Sequence, residues 1–480
     1  NISQVFMGVN LKCASCHDSF ISTWKLADAY GMAGLYAEKP LEMVRCDRPT
    51  GKIAPVKFLY PELGAIDGSL PRAQRLERLA QVLTSPANGR LARTLVNRLW
   101  AKLMGRGLVE PADEMDNRPW SPDLLDWLAA DFVDGGYDVK KTIERIVTSR
   151  AYQMPSVGLA GETDKEFRFA GPVRKRMSAE QFADAVSSLT GVWSTPATQF
   201  RIDRGRPVLP SGPGSHPQVR FDSGVLRSGS VNIDVDLTGA EALSLIVTDA
   251  GDNASFDWSD WVDPRLVGPN GETPLTTLKW FSASTGYGQI QLGKSVVEKP
   301  LRLGDRTYAE GIGTHANSII TYLLPPGVTR FKAVAGPDAG ALEQGGRPSV
   351  QFFVVTGDRS MVEARAALAL ADPLTRALGR PNREQVVTQR STVATTLQAL
   401  ELTNGRTLTD RLAEGARRWA AEQKAPADLV EALYRRALGR SPTPTERQAA
   451  LELAGAPPRP EGVEDLLWAL VMLPEFQLIY

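Results

Sequence analysis

The spacing of apolar residues changes period twice along the chain. Between residues 73 and 195 it follows the roughly 3.6-residue repeat of amphipathic helices. Around RTLVNRLWAKLMG, Leu91, Leu95, Leu99 and Leu103 recur every four residues and predict a core-facing stripe. Ser121 before Pro122 predicts an N-cap with proline at the first helical position. The helix it opens would bury Leu124, Leu125, Trp127, Leu128, Phe132 and Val133 and stop at Gly135-Gly136. Val139, Ile143, Ile146 and Val147 mark the next helix. Ser178 with Gln181 reads as a capping box opening another. Residues 196–229, rich in Pro, Gly and Ser, read as a linker. From Val231 the pattern alternates: Val231, Ile233, Val235 and Leu237 point one way, and Leu243, Leu245 and Val247 repeat it. The runs Ile319–Leu324, Phe331–Val334 and Val350–Val355 are also strand-like, with Gly/Pro/Asp turns between them. Helical periodicity returns at Met361 and lasts to Tyr480. The pentapeptide RALGR stands at 376–380 and again at 436–440, a short internal similarity.

These periods predict a multidomain α + β chain: a mainly helical domain interrupted by an inserted antiparallel β-sandwich. The expected bounds are 1–70 for short helical pieces around a cysteine cluster, 73–227 for the first helical half, 228–358 for the β-module and 360–480 for the second helical half. Insertion at an exposed loop is tolerable because loop-closure entropy grows slowly with length. Two separate helical domains are the alternative. The length of 480 residues allows two to four domains. Hydrophobic residues at 42% and charged residues at 23% are ordinary for globular protein. Lys+Arg and Asp+Glu number 55 each, so no net charge draws the chain to nucleic acid. No apolar run approaches a membrane span. Asn1–Leu11 reads as the middle of a fold, which marks the chain as a fragment or a processed product.

Three cysteines make no disulfide framework. Two of them form Cys13-Ala14-Ser15-Cys16-His17, a CxxCH motif. Thiols two residues apart can bond both vinyl groups of a covalent haem c, and the adjacent imidazole supplies an axial ligand to the iron. The alternatives are a CxxC redox pair and half of a zinc site, for which Cys46, His216 and His315 are the remaining Cys/His partners. Met7, Met32 and Met43 are candidate sixth ligands; methionine is also ordinary core filler. Cys46, in VRCDRP, reads as a buried structural thiol. Among acidic residues, Glu110, Asp113, Glu114 and Asp116 follow GRGL; Glu110 and Asp113 are the candidates for glycosidase acid/base work, against a solvated loop. Arg98, Trp100, Arg150, Tyr152 and Arg390 (before Ser391-Thr392) place polar groups near apolar helices, for a cleft or for ion pairing. No phosphate loop, HExxH or GxSxG is present.

VFMGVNLKCASCHDSFISTWKLADAYGMAGLYA resembles the C-terminal end of the planctomycete-type cytochrome domain (PSCyt). The stretches LVNRLWAKLMGRGLVEPADEMD, LLDWLAADFVDGGYDVKKTIERIVTSRAYQ, RMSAEQFADAV, QRSTVATTLQALELTNG, LYRRALGRSPTPTE and LLWALVMLPEFQLIY resemble the helical domain of unknown function (PSD) that follows it in large exported planctomycete and verrucomicrobial proteins. The resemblance implies export to the periplasm or cell surface, haem at Cys13, Cys16 and His17, and a portion preceding Asn1. Residues 228–358 resemble the NPCBM-type carbohydrate-binding module, in LSLIVTDAGDNASFDWSDWVDPRLV, LKWFSASTGYGQIQLGKSV, AEGIGTHANSIITYLLP and FKAVAGPDAG. The segment that normally closes that module here precedes GIGTHA, as in a circular permutation or a truncated copy fused to a second.

A sugar site wants aromatic platforms beside fixed polar groups. Trp258, Trp261, Trp280 and Tyr287 are the candidate platforms, and Asp257, Asp260, Asp263, His315 and Asn317 the polar groups. Tryptophan in such a sheet pair is also common core. Asp249, Asp252, Asp257 and Asp263 are candidate Ca2+ ligands, Asp257 and Asp263 foremost. The expected function is that of an exported haem c protein that binds carbohydrate and takes part in polysaccharide capture and degradation. Electrons would pass to a redox partner protein, or a bound sugar would be oxidised at the haem. The alternatives are a non-catalytic glycan-binding scaffold and a glycoside hydrolase using acidic residues of the helical domain.

Overall fold

The computed structural model describes the chain except residues 160–166, 197–199, 211–215, 270, 383–386, 388–389, 391–393 and 423–424. The Ser391-Thr392 pair therefore lies outside the described residues. The chain divides into two compact units. One comprises Asn1–Phe182, Pro373–Ala413 and Ala420–Tyr480; the other comprises Ala183–Asp372 and Glu414–Trp419. Among the described residues, no helix is long and apolar enough to cross a membrane.

In the first unit, the N-terminal segment is stitched to the Gly89–Met104 helix. The short helix Ile2–Met7 leaves its last carbonyls without intrahelical partners. Arg98 donates to the carbonyls of Val5 and Gln4, each at 2.5 Å, and to Asp113 at 2.9 Å. The Gln4 side chain donates to the other Asp113 oxygen at 2.6 Å. Arg90 donates to the Met7 carbonyl at 3.2 Å and pairs with Asp116, which also accepts from Trp24 and Tyr60. Cations thus complete the carbonyl end of a helix, where the dipole favours them. Gly8 ends that helix at φ 62°, and a Cβ there would lie 2.2 Å from the Met115 side chain.

The predicted leucine stripe flanks the core rather than filling it. Ala92, Val96, Trp100 and Met104 are the buried apolar positions of Gly89–Met104, while Leu95, Leu99 and Leu103 are half-buried against them. The Pro122–Asp134 helix buries Leu125, Leu128, Ala129 and Phe132, but Trp127 is 52% exposed beneath the Arg145 guanidinium. Ser178 and Gln181 do form the reciprocal bonds of a capping box. The two RALGR copies share a physical role. Gly379 and Gly439 both turn left-handed, and the following arginine reaches carboxylates: Arg380 to Glu180, Arg440 to Glu446 and Glu475. The last helices, Pro426–Leu438, Pro444–Ala454 and Pro460–Met472, pack through Leu433, Ala450, Leu467 and Leu470. Residues 1–70 hold, besides helical pieces, a hairpin of Glu42–Arg45 and Arg48–Ile53.

The second unit holds two antiparallel sheets. One runs Gln291–Leu292, Gly311–His315, Trp258–Gly268, Arg330–Pro337, Val231–Asp236, with Gly271–Pro274 added beside Trp258–Gly268. The other runs Ser282–Ser284, Ser318–Leu323, Ala242–Thr248, Val350–Gly357, Gln218–Leu226. Residues of both sheets form one core, with Trp261, Phe331, Phe352 and Tyr322 fully buried. Ala242–Thr248 is buried on both faces, because Phe200, Ile202, Leu209, Met361 and Val362 cover its outer side. The stretch read as a linker is in fact partly strand: Arg201–Asp203 pairs with Arg206–Val208, and Gln218–Leu226 is an edge strand. Pro and Gly mark its turns, and the alternation in QVRFDSGVL is too exposed to stand out.

Replacing Arg98 by Met is expected to cost about 3 kcal/mol, because it leaves the Asp113 carboxylate buried without its guanidinium counter-charge. Denaturant unfolding of the full chain checks this. Arg98→Met with unchanged stability would show that the clamp contributes nothing.

Candidate functional site

The CxxCH motif forms a tight turn. Cys13–Ser15 is a single 3-10 turn closed by the Ser15 amide and hydroxyl, both donating to the Lys12 carbonyl. Cys13 is half-buried and Cys16 exposed, and both are free thiols. The His17 ring is fixed by Nδ1, 2.6 Å from the Asp18 carbonyl. A carbonyl only accepts, so Nδ1 carries the proton and Nε2 keeps its lone pair. Phe20, 90% exposed, lies against this ring at 4.7 Å between centroids. A cavity of about 420 Å³ adjoins the turn, lined by Gln4, Leu11, Lys12, Ser15, Met32 and Tyr36 among others. Of the methionine candidates, Met32 faces this cavity, Met7 is core and Met43 sits in the hairpin.

Cys46 is not buried. It is exposed at the tip of the Glu42–Arg45/Arg48–Ile53 hairpin, and its amide donates to the Cys16 carbonyl at 3.0 Å. Hairpin geometry brings it there, and nothing in the spacing of 13, 16 and 46 signals it. His216 is exposed, and His315 belongs to the second unit. No group of three or more His, Cys, Asp or Glu side chains gathers to hold a metal ion among the described residues.

In the second unit, the four aromatic candidates separate. Trp261 is core, packed edge-on to Phe352. Trp258 is nearly buried against Val296 and Ala341, and Trp280 is half-buried against the main core. Trp261 is enclosed between the sheets and Trp258 is covered by Val296 and Ala341, whereas Trp280 stays partly exposed. Tyr287 is 62% exposed, with its ring 5.5 Å from that of His315. The loop bearing Tyr287 is fixed by Thr285, whose hydroxyl bonds both the amide and carbonyl of His315. Gly286 makes this approach feasible, since a Cβ there would lie 2.3 Å from the Ala316 carbonyl. His315 Nδ1 meets the Ala316 carbonyl, which leaves Nε2 as an acceptor; burial holds its pKa below the usual histidine range. Asn317 exchanges hydrogen bonds with Asp249. Phe256, 39% exposed, is an aromatic that sequence reasoning passed over; it precedes Asp257, whose carbonyl accepts from the Ala316 amide.

Asp257 is fully buried, with one carboxyl oxygen bound to the Ser349 amide at 2.8 Å and the other unpartnered. Burial, aided by the nearby Asp252 and Asp249 charges, pushes its pKa up to about 7. Asp263 stands exposed within the Trp258–Gly268 strand, six residues beyond Asp257, which precedes that strand, so Asp257 and Asp263 do not converge on one cation. Asp260 is buried beside Asp338, away from solvent, and cannot meet a sugar. The acidic candidates of the helical unit are engaged structurally. Asp113 holds Arg98 and Gln4, and Glu110 accepts the Gly107 amide at 2.6 Å. Arg390 pairs with Glu180, Trp100 is core, and Arg150 and Tyr152 are exposed.

Because the Asp257 carboxyl is protonated more readily in the folded than in the unfolded chain, its contribution to stability is present at low pH. It is lost as pH rises from about 4 to about 7. Asp257→Asn is expected to flatten that part of the melting-temperature profile of the β unit, followed by tryptophan fluorescence. Parallel profiles for the two proteins would rule Asp257 out as the source.

Residues 214–267 and 271–376 match the NPCBM/NEW2 domain, and residues 1–40 match PSCyt2, a protein of unknown function (DUF1549). Alpha-1,3-galactosidase B of Akkermansia muciniphila is 40% identical over 88 residues, 18% of this chain and 10% of that protein. The chain thus spans about a tenth of the length of this curated relative. No solved structure matches the chain. Residues 74–218 and 332–454, together more than half of the sequence, match PSD1 (DUF1553), so the chain belongs to this family of proteins of unknown function.

Proposed function

We propose that the chain is the haem-bearing and carbohydrate-binding part of an exported protein that captures polysaccharide. The observation that carries the reading is the CxxCH turn itself: His17 Nδ1 lies 2.6 Å from the Asp18 carbonyl, which leaves Nε2 as the ligand atom one residue beyond two free thiols. Cys13 and Cys16 would hold a haem c by thioether bonds, and His17 would ligate its iron. The bound group would supply one-electron chemistry, with a redox partner protein as donor or acceptor. The chain's own part is to present the thiols side by side on one turn and to lock the imidazole through Asp18. Met32, on the wall of the adjoining cavity, is the candidate sixth ligand.

For the sugar, the two antiparallel sheets are read as a β-sandwich of the NPCBM type, and its surface supplies one platform. The apolar face of a pyranose would stack on Tyr287, with a hydroxyl donating to His315 Nε2. The match to a protein named as an alpha-1,3-galactosidase supports a galactose-containing glycan as the first ligand to try. A non-catalytic role in capture is favoured over hydrolysis by one observation: Glu110 and Asp113 spend their carboxylates on the fold. The 360–480 segment is read as the second half of the helical domain that residues 73–227 begin.

Expression with c-type maturation machinery is expected to give a covalent haem by pyridine haemochrome spectrum, lost in Cys13→Ala/Cys16→Ala. No covalent haem in the wild type, even with added thiol reductant, would overturn that half. Calorimetry against a polysaccharide panel is expected to find a glycan whose affinity falls roughly tenfold in Tyr287→Ala, the loss of one stacking face. Binding is expected to weaken as pH falls through the lowered titration range of His315, because protonation removes the Nε2 acceptor. Unchanged affinity in Tyr287→Ala would remove the platform from the site.

A further inference from the structure

The hairpin of Glu42–Arg45 and Arg48–Ile53 turns through two residues, Cys46 and Asp47, both left-handed at φ 44° and 64°. This is an uncommon conformation for cysteine, and its surroundings hold it there. The Val44 amide donates to the Tyr30 hydroxyl at 3.1 Å, which ties the hairpin to the Leu26–Gly34 helix. The tip then lies on the CxxCH turn: the Cys46 amide donates to the Cys16 carbonyl at 3.0 Å, and its Sγ lies 3.7 Å from the same oxygen. A direct N–H···O bond brings the two backbones into contact, and the Cα separations of such contacts overlap the window that a disulfide spans. Both thiols are exposed, whereas Cys13 is half-buried. An attacking disulfide therefore reaches Cys16 and Cys46 more readily than Cys13.

We infer that Cys16 and Cys46 are a reversible dithiol/disulfide pair, a modification site that withdraws one of the two haem-attaching thiols while it is closed. Closure forms one S–S bond, and each thiol gives up a proton and an electron. An external disulfide such as oxidised glutathione takes the two electrons and two protons and leaves as two thiols. The consequence for haem rests on the proposed attachment at Cys13 and Cys16; formation of the disulfide does not. In an oxidising exported compartment this bond would form before haem arrives, and attachment at Cys16 would require its reduction.

The test uses the full chain made without maturation machinery, equilibrated with glutathione buffers from reducing to oxidising and trapped with N-ethylmaleimide. Intact mass is expected to fall from three maleimide adducts to one, and peptide mapping to find Cys16 linked to Cys46. Cys46→Ser, at an exposed turn, is expected to show no such link and to attach haem in the maturation host at least as completely as wild type without added reductant. Three free thiols under every buffer, a dominant Cys13–Cys16 link, or stable glutathione adducts in place of the cross-link would each overturn the inference. A wild type that forms the cross-link, together with a Cys46→Ser variant that never attaches haem, would sink the haem reading and leave the pair standing. Haem attachment without any cross-link would do the reverse.

Discussion

The Arg98 guanidinium is the interaction on which the N-terminal part of the molecule depends. It meets two backbone carbonyls at the end of Ile2–Met7 and one oxygen of Asp113, whose other oxygen holds Gln4. A six-residue helix has no stability of its own in water, so its position must come from such contacts. Arg90 and Asp116 repeat the device about two turns away, with Trp24 and Tyr60 drawn in. The CxxCH turn follows directly on this anchored segment. Two residues of the acidic stretch after GRGL are thereby explained: the Asp113 and Asp116 carboxylates fasten the segment that carries the thiols.

The β unit rests on a different constraint, the shared core between two twisted antiparallel sheets. Trp261, Phe331 and Phe352 exclude water between them, and the glycines beside them let loops close over the edges. Its first strand, Gln218–Leu226, pairs with its last, Val350–Gly357, with Gln218 opposite Thr356. The chain therefore begins and ends this pair of sheets at neighbouring points. Adjacent ends are what an inserted module needs, because little loop entropy is lost in joining them to the flanking chain.

The candidate sites show how far local pattern carries. CxxCH and GIGTHA were visible as strings; the first stands at a turn and the second is a strand, and in both the histidine ring is pinned by a neighbouring carbonyl. Tyr287 separated from Trp258, Trp261 and Trp280 because alternation along a strand does not say which face is covered. Trp261 points between the sheets, and helix Ala339–Glu343 and its neighbours cover Trp258 on the outer face. Cys46 was misread as buried for a related reason. A hairpin turn can be inferred from Asp47 and the alternating flanks, yet the surface on which its tip lands is set by residues thirty positions away.

Helix periods, caps, the helix–strand–helix order and the CxxCH motif follow from the sequence by itself, because each depends on contacts within about one turn or on a fixed spacing. Tertiary structure alone decided which of several chemically similar residues became accessible. Asp113 became a clamp, Asp257 a buried acid, Trp261 core, Tyr287 a surface ring and Cys46 a neighbour of Cys16. Those outcomes depend on which remote segment packs against each side chain. Burial and long-range pairing, not residue type, determine whether a carboxylate, a ring or a thiol supports the fold or faces a ligand.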